Sequence, residues 1–252
     1  MIKYHGIPMT GSGDPILALQ GKHACVSFAH AEQIEIAAEL CQSFILDNGA
    51  FSAWTQGKPF DIEGFAHFVE RWRRHPGMDW YLMPDVIDGT DEDNMKMRSA
   101  WLNLVSGQIW SKGVPVWHLN ESLETLNNLV SAFDRVAIGS AGAYAQIGTA
   151  SWWDRMAEAM AVACDADGYP KAKLHGLRML DPTVFSHFPF SSADSTNVAR
   201  NCGLDTRWNG PYAPRSRRMR AMILMDRIEA HAAACRWSGS GVGAAQNGEL
   251  FG

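Results

Sequence analysis

Eight short apolar runs divide this chain, and the residues between them follow helical rather than strand periodicity. The runs are Ile2 to Ile7, Ala24 to Phe28, Phe44 to Leu46, Trp80 to Met83, Val114 to Leu119, Arg135 to Ile138, Lys173 to Met179 and Phe190 to Ala193. Short apolar runs without alternation are what strands buried on both faces require. In the intervening segments apolar residues recur every three or four positions: Phe65, Phe68, Val69 and Trp72; Met97, Trp101, Leu104 and Val105; Leu123, Leu126, Val130 and Phe133; Trp153, Met156, Met160 and Ala163. Each stripe gives a helix one apolar face to bury. Asp61 and Asn120 precede two of the stripes and offer side-chain oxygens for N-caps. Strands alternating with helices predict parallel β/α units. Eight such units predict an α/β fold of the (β/α)8 TIM-like barrel type.

A chain of 252 residues matches one such barrel, so a single domain over residues 1–237 is expected. Residues 238–252, SGSGVGAAQNGELFG, hold too little apolar surface to offset the entropy of ordering and predict a flexible tail. The turn-rich TGSGDP of Thr10 to Pro15 follows the first strand and falls on the carboxyl face of the barrel. No run approaches the roughly 18 apolar residues of a membrane helix, and MIKYHGIP lacks a secretory pattern. A cytoplasmic protein with no membrane partner is the expectation. The five cysteines are widely spaced with no C-x-x-C pair, which predicts packing roles, no metal site and no cofactor.

Three aspartates stand where apolar runs stop: Asp47 in FILDNGAFS, Asp85 in WYLMPDVID and Asp194 in FSSADST. Barrel enzymes draw their catalytic groups from the carboxyl ends of several strands, so these acids are expected to converge on one site. The same face should gather His5, His118, Gly139, His175 and Arg178. An aspartate after a strand also caps the next helix in many folds. Asp47 lies too far ahead of the helix expected near Asp61 to cap it. Carboxylates brought close together cannot ionise independently, so distinct acid and nucleophile roles are expected of them.

Several segments, in order, resemble the tRNA-guanine transglycosylases. DNGAFS is similar to that family's D-S-G-G-F-Q signature, and PDVID to its next strand-end aspartate. AIGSAG resembles the glycine-rich base-binding turn, LHGLRM the strand that follows, and DSTNVARN the segment that opens on the nucleophilic aspartate. The likeness covers about Phe44 to Asn201, and the cysteine-rich zinc motif is missing. It points to the short phage-type members of the superfamily, which insert 7-deazaguanine bases into DNA.

The resemblance implies a role for each residue. Asp194 would attack C1′ of the sugar and form a covalent glycosyl intermediate. Asp47 would be the general acid/base, and Asp85 would read the edge of the base by accepting its N–H groups. Phe51 would stack on the base, and the backbone of Gly139 and Ser140 would contact its oxygen. His118 stands where the family uses a glutamine, and His175 replaces an apolar residue; with Arg178 they complete the substrate-binding set. The expected reaction is replacement of guanine in DNA by a cyano- or aminomethyl-substituted 7-deazaguanine.

Net charge is -5, yet from Arg200 to Arg236 eight arginines meet only Asp205, Asp226 and Glu229. Arg200, Arg207, Arg215, Arg217 and Arg218, with Trp208 and Tyr212 interleaved, would track phosphates and stack a base. An ordinary solvated helix face has the same composition. Other readings of the chain stay open: tRNA as the polymer, a hydrolase with a metal ringed by His5, His118, His175 and Asp194, or a barrel that binds nucleic acid without catalysis. A glycosidase results if water reaches the Asp194 adduct before a second base.

Overall fold

The computed structural model describes residues 1–203 and 214–239. Arg207, Trp208, Tyr212 and residues 240–252 of the expected tail lie outside the described residues. Among the described residues there are nine strands: β1 (Ile2–Gly6), β2 (His23–Ser27), β3 (Ser43–Asp47), β4 (Met78–Leu82), β5 (Gly113–Val114), β6 (Val116–His118), β7 (Arg135–Gly139), β8 (Lys173–Gly176) and β9 (Ser192–Ser195). They form one sheet in the order β5-β4-β3-β2-β1-β9-β8-β7-β6, and every pairing is parallel.

The two ends of that order, β5 and β6, are separated in the chain only by Pro115. The run from Val114 to Leu119, expected as one strand, is therefore split. Proline has no N–H to give to a ladder, and at Pro115 the chain changes partner. Val114 O accepts from Met83 N at 2.8 Å on one side, and Pro115 O accepts from Ala137 N at 2.9 Å on the other. One kinked segment thus bridges β4 to β7 and brings the sheet round into a TIM-like barrel.

The main core lies between the barrel and its helices. Phe65 and Val69 of the helix Ile62–Trp72 are buried there, as are Trp101, Leu126, Leu129 and Val130. In the helix Ala150–Ala163 the buried tryptophan is Trp152, with Met156, Ala159, Met160 and Ala163; Trp153 lies at the edge of that face. Each large side chain buried in this way contributes about 1.5–3 kcal/mol. Asp61 caps as expected, accepting from Gly64 N at 2.9 Å. Ser122, not Asn120, caps the helix Leu123–Ala132, since its Oγ accepts from Thr125 N at 3.1 Å. Asn120 instead donates to Gly89 O.

A smaller cluster fills the barrel itself: Tyr4, Cys25, Ile45, Trp80, Leu82, Val114, Val116 and Ala137. Successive side chains of a strand face opposite sides, so Tyr4 inside puts His5 outside. His5 is fully buried against the helix Arg217–Glu229, its Nε2 3.1 Å from Glu229 Oε1. The expectation that His5 joins the carboxyl-face site is therefore corrected. Near the end of the described chain, the Trp237 backbone N–H donates to Gly168 O at 2.8 Å and the ring stacks on Phe188. Among the described residues, no helix is long and apolar enough to cross a membrane.

Candidate active site

The three strand-end aspartates meet. Asp47, Asp85 and Asp194 line one cavity of about 1060 Å³ at the carboxyl ends of the strands, together with Phe51, His118, Gly139, Ser140, Arg178 and Arg200. That volume lies slightly above the ~300–1,000 Å³ typical of small-molecule sites.

Asp47 ends β3 and opens a tight turn. Its Oδ1 accepts from Gly49 N at 3.3 Å, and Asn48 Oδ1 accepts from Ala50 N at 2.8 Å. Gly49 has φ +78°, and a Cβ there would lie 2.9 Å from the backbone N of Ala29, so only glycine fits. A short helix, Ala50–Thr55, begins immediately after this turn. The expectation of no helix before Asp61 is corrected: Asp47 does belong to a helix-entry turn, while its carboxyl still reaches the cavity. Burial and then the charge of Asp194 push that carboxyl up to about 6, with the Gly49 amide opposing and Asp85 adding a smaller push.

Asp85 is held on both sides. Asn48 Nδ2 donates to Asp85 Oδ1 at 2.7 Å and to Met83 O at 2.7 Å, and His118 Nε2 lies 2.6 Å from Asp85 Oδ2. Each oxygen already carries one partner and keeps a second lone pair for a ligand. Burial pulls the His118 ring towards the neutral form, but the hydrogen bond to Asp85 and its charge overcome that and raise the value above the ordinary one. Behind His118, Glu121 Oε1 accepts from the His118 backbone N–H at 2.8 Å. Burial of Glu121 lifts its carboxyl to about 7, against the pull of that N–H.

Asp194 takes two contacts on one oxygen. Its Oδ1 accepts from Arg178 N at 3.1 Å and lies 3.2 Å from His175 Nε2; Oδ2 has neither contact. His175 is fully buried and does not line the cavity, so it acts on the site through Asp194. Arg178 has φ +59°, a left-handed conformation that strains a residue with a Cβ by about 1–2 kcal/mol. In that conformation its N–H meets Asp194 while Nη2 donates to Ser140 O at 2.6 Å. The guanidinium also sits 4.6 Å from the Phe51 ring centroid. One face of Phe51, the residue expected to stack on a base, is thus covered by Arg178, although the side chain is 40% exposed. Ser140 is fixed from behind, its Oγ accepting from Trp152 Nε1 at 2.9 Å.

Cys25 and Asn48 also line the cavity and were not singled out from the sequence. The Cys25 thiol is buried, and burial followed by the charges of Asp194 and Asp47 pushes it well above its ordinary value. It is a neutral part of the wall.

Of the expected arginines, Arg200 reaches the cavity; Arg215, Arg217 and Arg218 do not line it. Arg217 Nη1 donates to Thr10 O at 3.0 Å, tying down the TGSGDP loop. Arg215 and Arg218 are exposed. His5, His118, His175 and Asp194 do not surround a common point. Among the described residues no group of three or more His, Cys, Asp or Glu is placed to hold a metal ion.

No protein-family model, curated protein or solved structure matches this chain.

Proposed function

We propose that this chain is a base-exchange transglycosylase that replaces guanine in a polynucleotide with a 7-deazaguanine. The observation that carries the reading is that Asp47 and Asp194 line one cavity in unlike surroundings. Asp47 is pushed towards its protonated form, to about 6. Asp194 is oriented by donors on Oδ1 alone. An acid and a nucleophile facing one substrate need that difference.

In the first half-reaction Asp194 Oδ2 forms a bond to C1′ as the glycosidic bond breaks. The electron pair of that bond leaves with guanine, and Asp47 supplies the proton the departing base requires. In the second half Asp47, now ionised, takes a proton from the incoming 7-deazaguanine. The base nitrogen bonds to C1′, and the ester to Asp194 breaks, returning the carboxylate. Both half-reactions balance without an oxidant or a cofactor.

Asp85, held by Asn48 and His118, has lone pairs left for the N–H groups of a guanine-like edge. The Arg178 guanidinium, which spends one donor on Ser140 O, keeps others for an oxygen or a phosphate. DNA is the polymer we favour, because the cysteine-rich zinc motif of the tRNA-directed enzymes that this sequence resembles has no counterpart in it. A duplex hides both C1′ and the base, so the target must be flipped out or single-stranded.

The test is to incubate the protein with single-stranded DNA, duplex DNA or tRNA and with cyano- and aminomethyl-deazaguanines, then digest to nucleosides for mass spectrometry. Incorporation into DNA is expected. If no polymer acquires any deazaguanine, the reading is wrong; incorporation into tRNA alone moves the substrate but keeps the chemistry.

A further inference from the structure

A line of polar groups, fully buried at Ser192 and His175, runs through the barrel interior to the base of Asp194. Arg135 opens β7 at the opposite end of the barrel, and its Nη1 donates to Ser192 Oγ at 3.1 Å and to Ser191 Oγ at 3.0 Å. Ser192 Oγ lies 2.9 Å from His175 Nδ1, and His175 Nε2 lies 3.2 Å from Asp194 Oδ1. Ser192 and His175 are both fully buried. Trp80 packs edge-on against the His175 ring with centroids 4.8 Å apart, and the Arg135 guanidinium sits 5.1 Å from the Trp80 ring. The ring cannot rotate without displacing these neighbours.

The donors fix a direction along this line. A guanidinium only donates, so Ser192 Oγ is an acceptor towards Arg135. Its one hydrogen then has His175 Nδ1 as its partner. A proton on Nδ1 would leave the buried Ser192 hydrogen without an acceptor and set a bare Nε2 lone pair against a carboxylate oxygen. An imidazolium would strand the same hydrogen and bury a further charge, and burial does pull His175 below its ordinary value. The neutral ring with hydrogen on Nε2 satisfies every group.

We propose that Arg135 and Ser192 lock His175 as the neutral Nε2–H tautomer, and that His175 is the positioning residue that ties Asp194 down by Oδ1 and leaves Oδ2 to the substrate. A neutral donor orients the carboxylate without cancelling its charge, which an imidazolium would do. The groups facing His175 are Asp194 and Ser192 of β9, Arg135 of β7, Tyr4 of β1 and Trp80 of β4. Only Asp194 favours protonation of the ring, and burial and Arg135 oppose it.

The test uses the full chain labelled with ¹⁵N-histidine, the His175 signals being assigned by their loss in His175→Gln. Two-bond proton–nitrogen correlation should show a neutral ring with hydrogen on Nε2 that does not titrate through the neutral range. Ser192→Ala should release the lock and give mixed tautomers or a titrating ring, and Ser192→Thr, which keeps the hydroxyl, should restore it. An Nδ1–H tautomer or an imidazolium in the native protein overturns the proposal, as does a Ser192→Ala spectrum identical to the native one. If Ser192→Ala does not fold, the native and Ser192→Thr spectra still decide.

The kinetic arm rests on the proposed base exchange: Ser192→Ala should lower kcat roughly tenfold with little change in KM, and Ser192→Thr should recover it. The spectra need no substrate. A locked tautomer in a protein that exchanges no base would uphold the lock and refute only the proposed reaction.

Discussion

His118 Nε2 lies 2.6 Å from Asp85 Oδ2; burial disfavours charge on the ring, but Asp85, with a smaller push from Glu121, raises its value above the ordinary one. A raised imidazole value means that the folded protein binds the proton more tightly than the unfolded chain. The pair therefore stabilises fully below the ordinary histidine value of about 6.5, and its contribution is lost as pH rises through the folded-state value. Asp85→Asn removes the partner and leaves burial dominant, so His118 should fall below its ordinary value in an NMR titration. Urea unfolding should show a loss of about 1–3 kcal/mol at mildly acidic pH and less above neutrality. A loss that is the same at every pH would mean that the pair is not charged.

Gly139 packs directly against the same ring. A Cβ on residue 139 would fall 2.6 Å from His118 Nδ1 and 2.9 Å from its Cε1, closer than real contacts allow. Gly139→Ala must therefore push His118 off Asp85, with an overpacking penalty of about 1–3 kcal/mol. Because both substitutions break one contact, their effects on the His118 titration should not add. A double variant with Asp85→Asn checks this, and full additivity would contradict the shared cause.

Asp47 carries the opposite sign of linkage. Its ionisation is opposed in the folded state, where the value rises from 3.8 to about 6, so stability falls as pH climbs through that window. At neutral pH Asp47→Asn should stabilise the protein. The gain should be about 1 kcal/mol once the partial exposure of Asp47 to the cavity is discounted, and it should vanish below the ordinary aspartate range. The same substitution should lower base exchange by about 10²-fold or more. In the native protein the first half of the proposed exchange should weaken as pH rises past about 6. Thermal melts across pH and single-turnover release of guanine measure the two effects, and a variant that is less stable at neutral pH would contradict the charge coupling of Asp47 and Asp194.

These sites were unequally legible in the sequence. Asp47, Asp85 and Asp194 stood out because a charge that ends an apolar run has one natural place, the mouth of the barrel. The orientation of His5 and His175 was hidden by the same physics that exposed the strands. With both faces of a strand buried, no alternation marks which side points inward, and Tyr4 inside the barrel is what sends His5 out to Glu229. The Ala50–Thr55 helix is too short for a period to register, so Asp47 looked remote from any helix. Asn48 was hidden inside a turn, where its other use, the hydrogen bond to Ala50 N, was the obvious one. Pro115 was visible in the sequence as a residue without an N–H, and it is the signal from which the split between β5 and β6 was readable.

The arginine cluster divides by what each guanidinium already holds. Arg217 donates to Thr10 O, and Arg220 to Cys202 O at 2.7 Å and Pro214 O at 2.7 Å, so these two tie loops together. Arg200 is exposed on the cavity wall, where a polynucleotide entering the site would pass. A phosphate contact releases counterions, and each one steepens the salt dependence of single-strand binding by about 0.7 in log–log slope. Arg200→Ala should therefore weaken binding of a single-stranded oligonucleotide and flatten that slope by about this amount, with the melting temperature nearly unchanged. Arg217→Ala should do the reverse, lowering stability by about 0.5–1.5 kcal/mol for one lost hydrogen bond while leaving the slope alone. Fluorescence anisotropy at several salt concentrations, beside a melt of each variant, separates the two. If Arg200→Ala leaves the slope untouched, Arg200 makes no phosphate contact and the proposed polynucleotide path along this cavity wall is wrong.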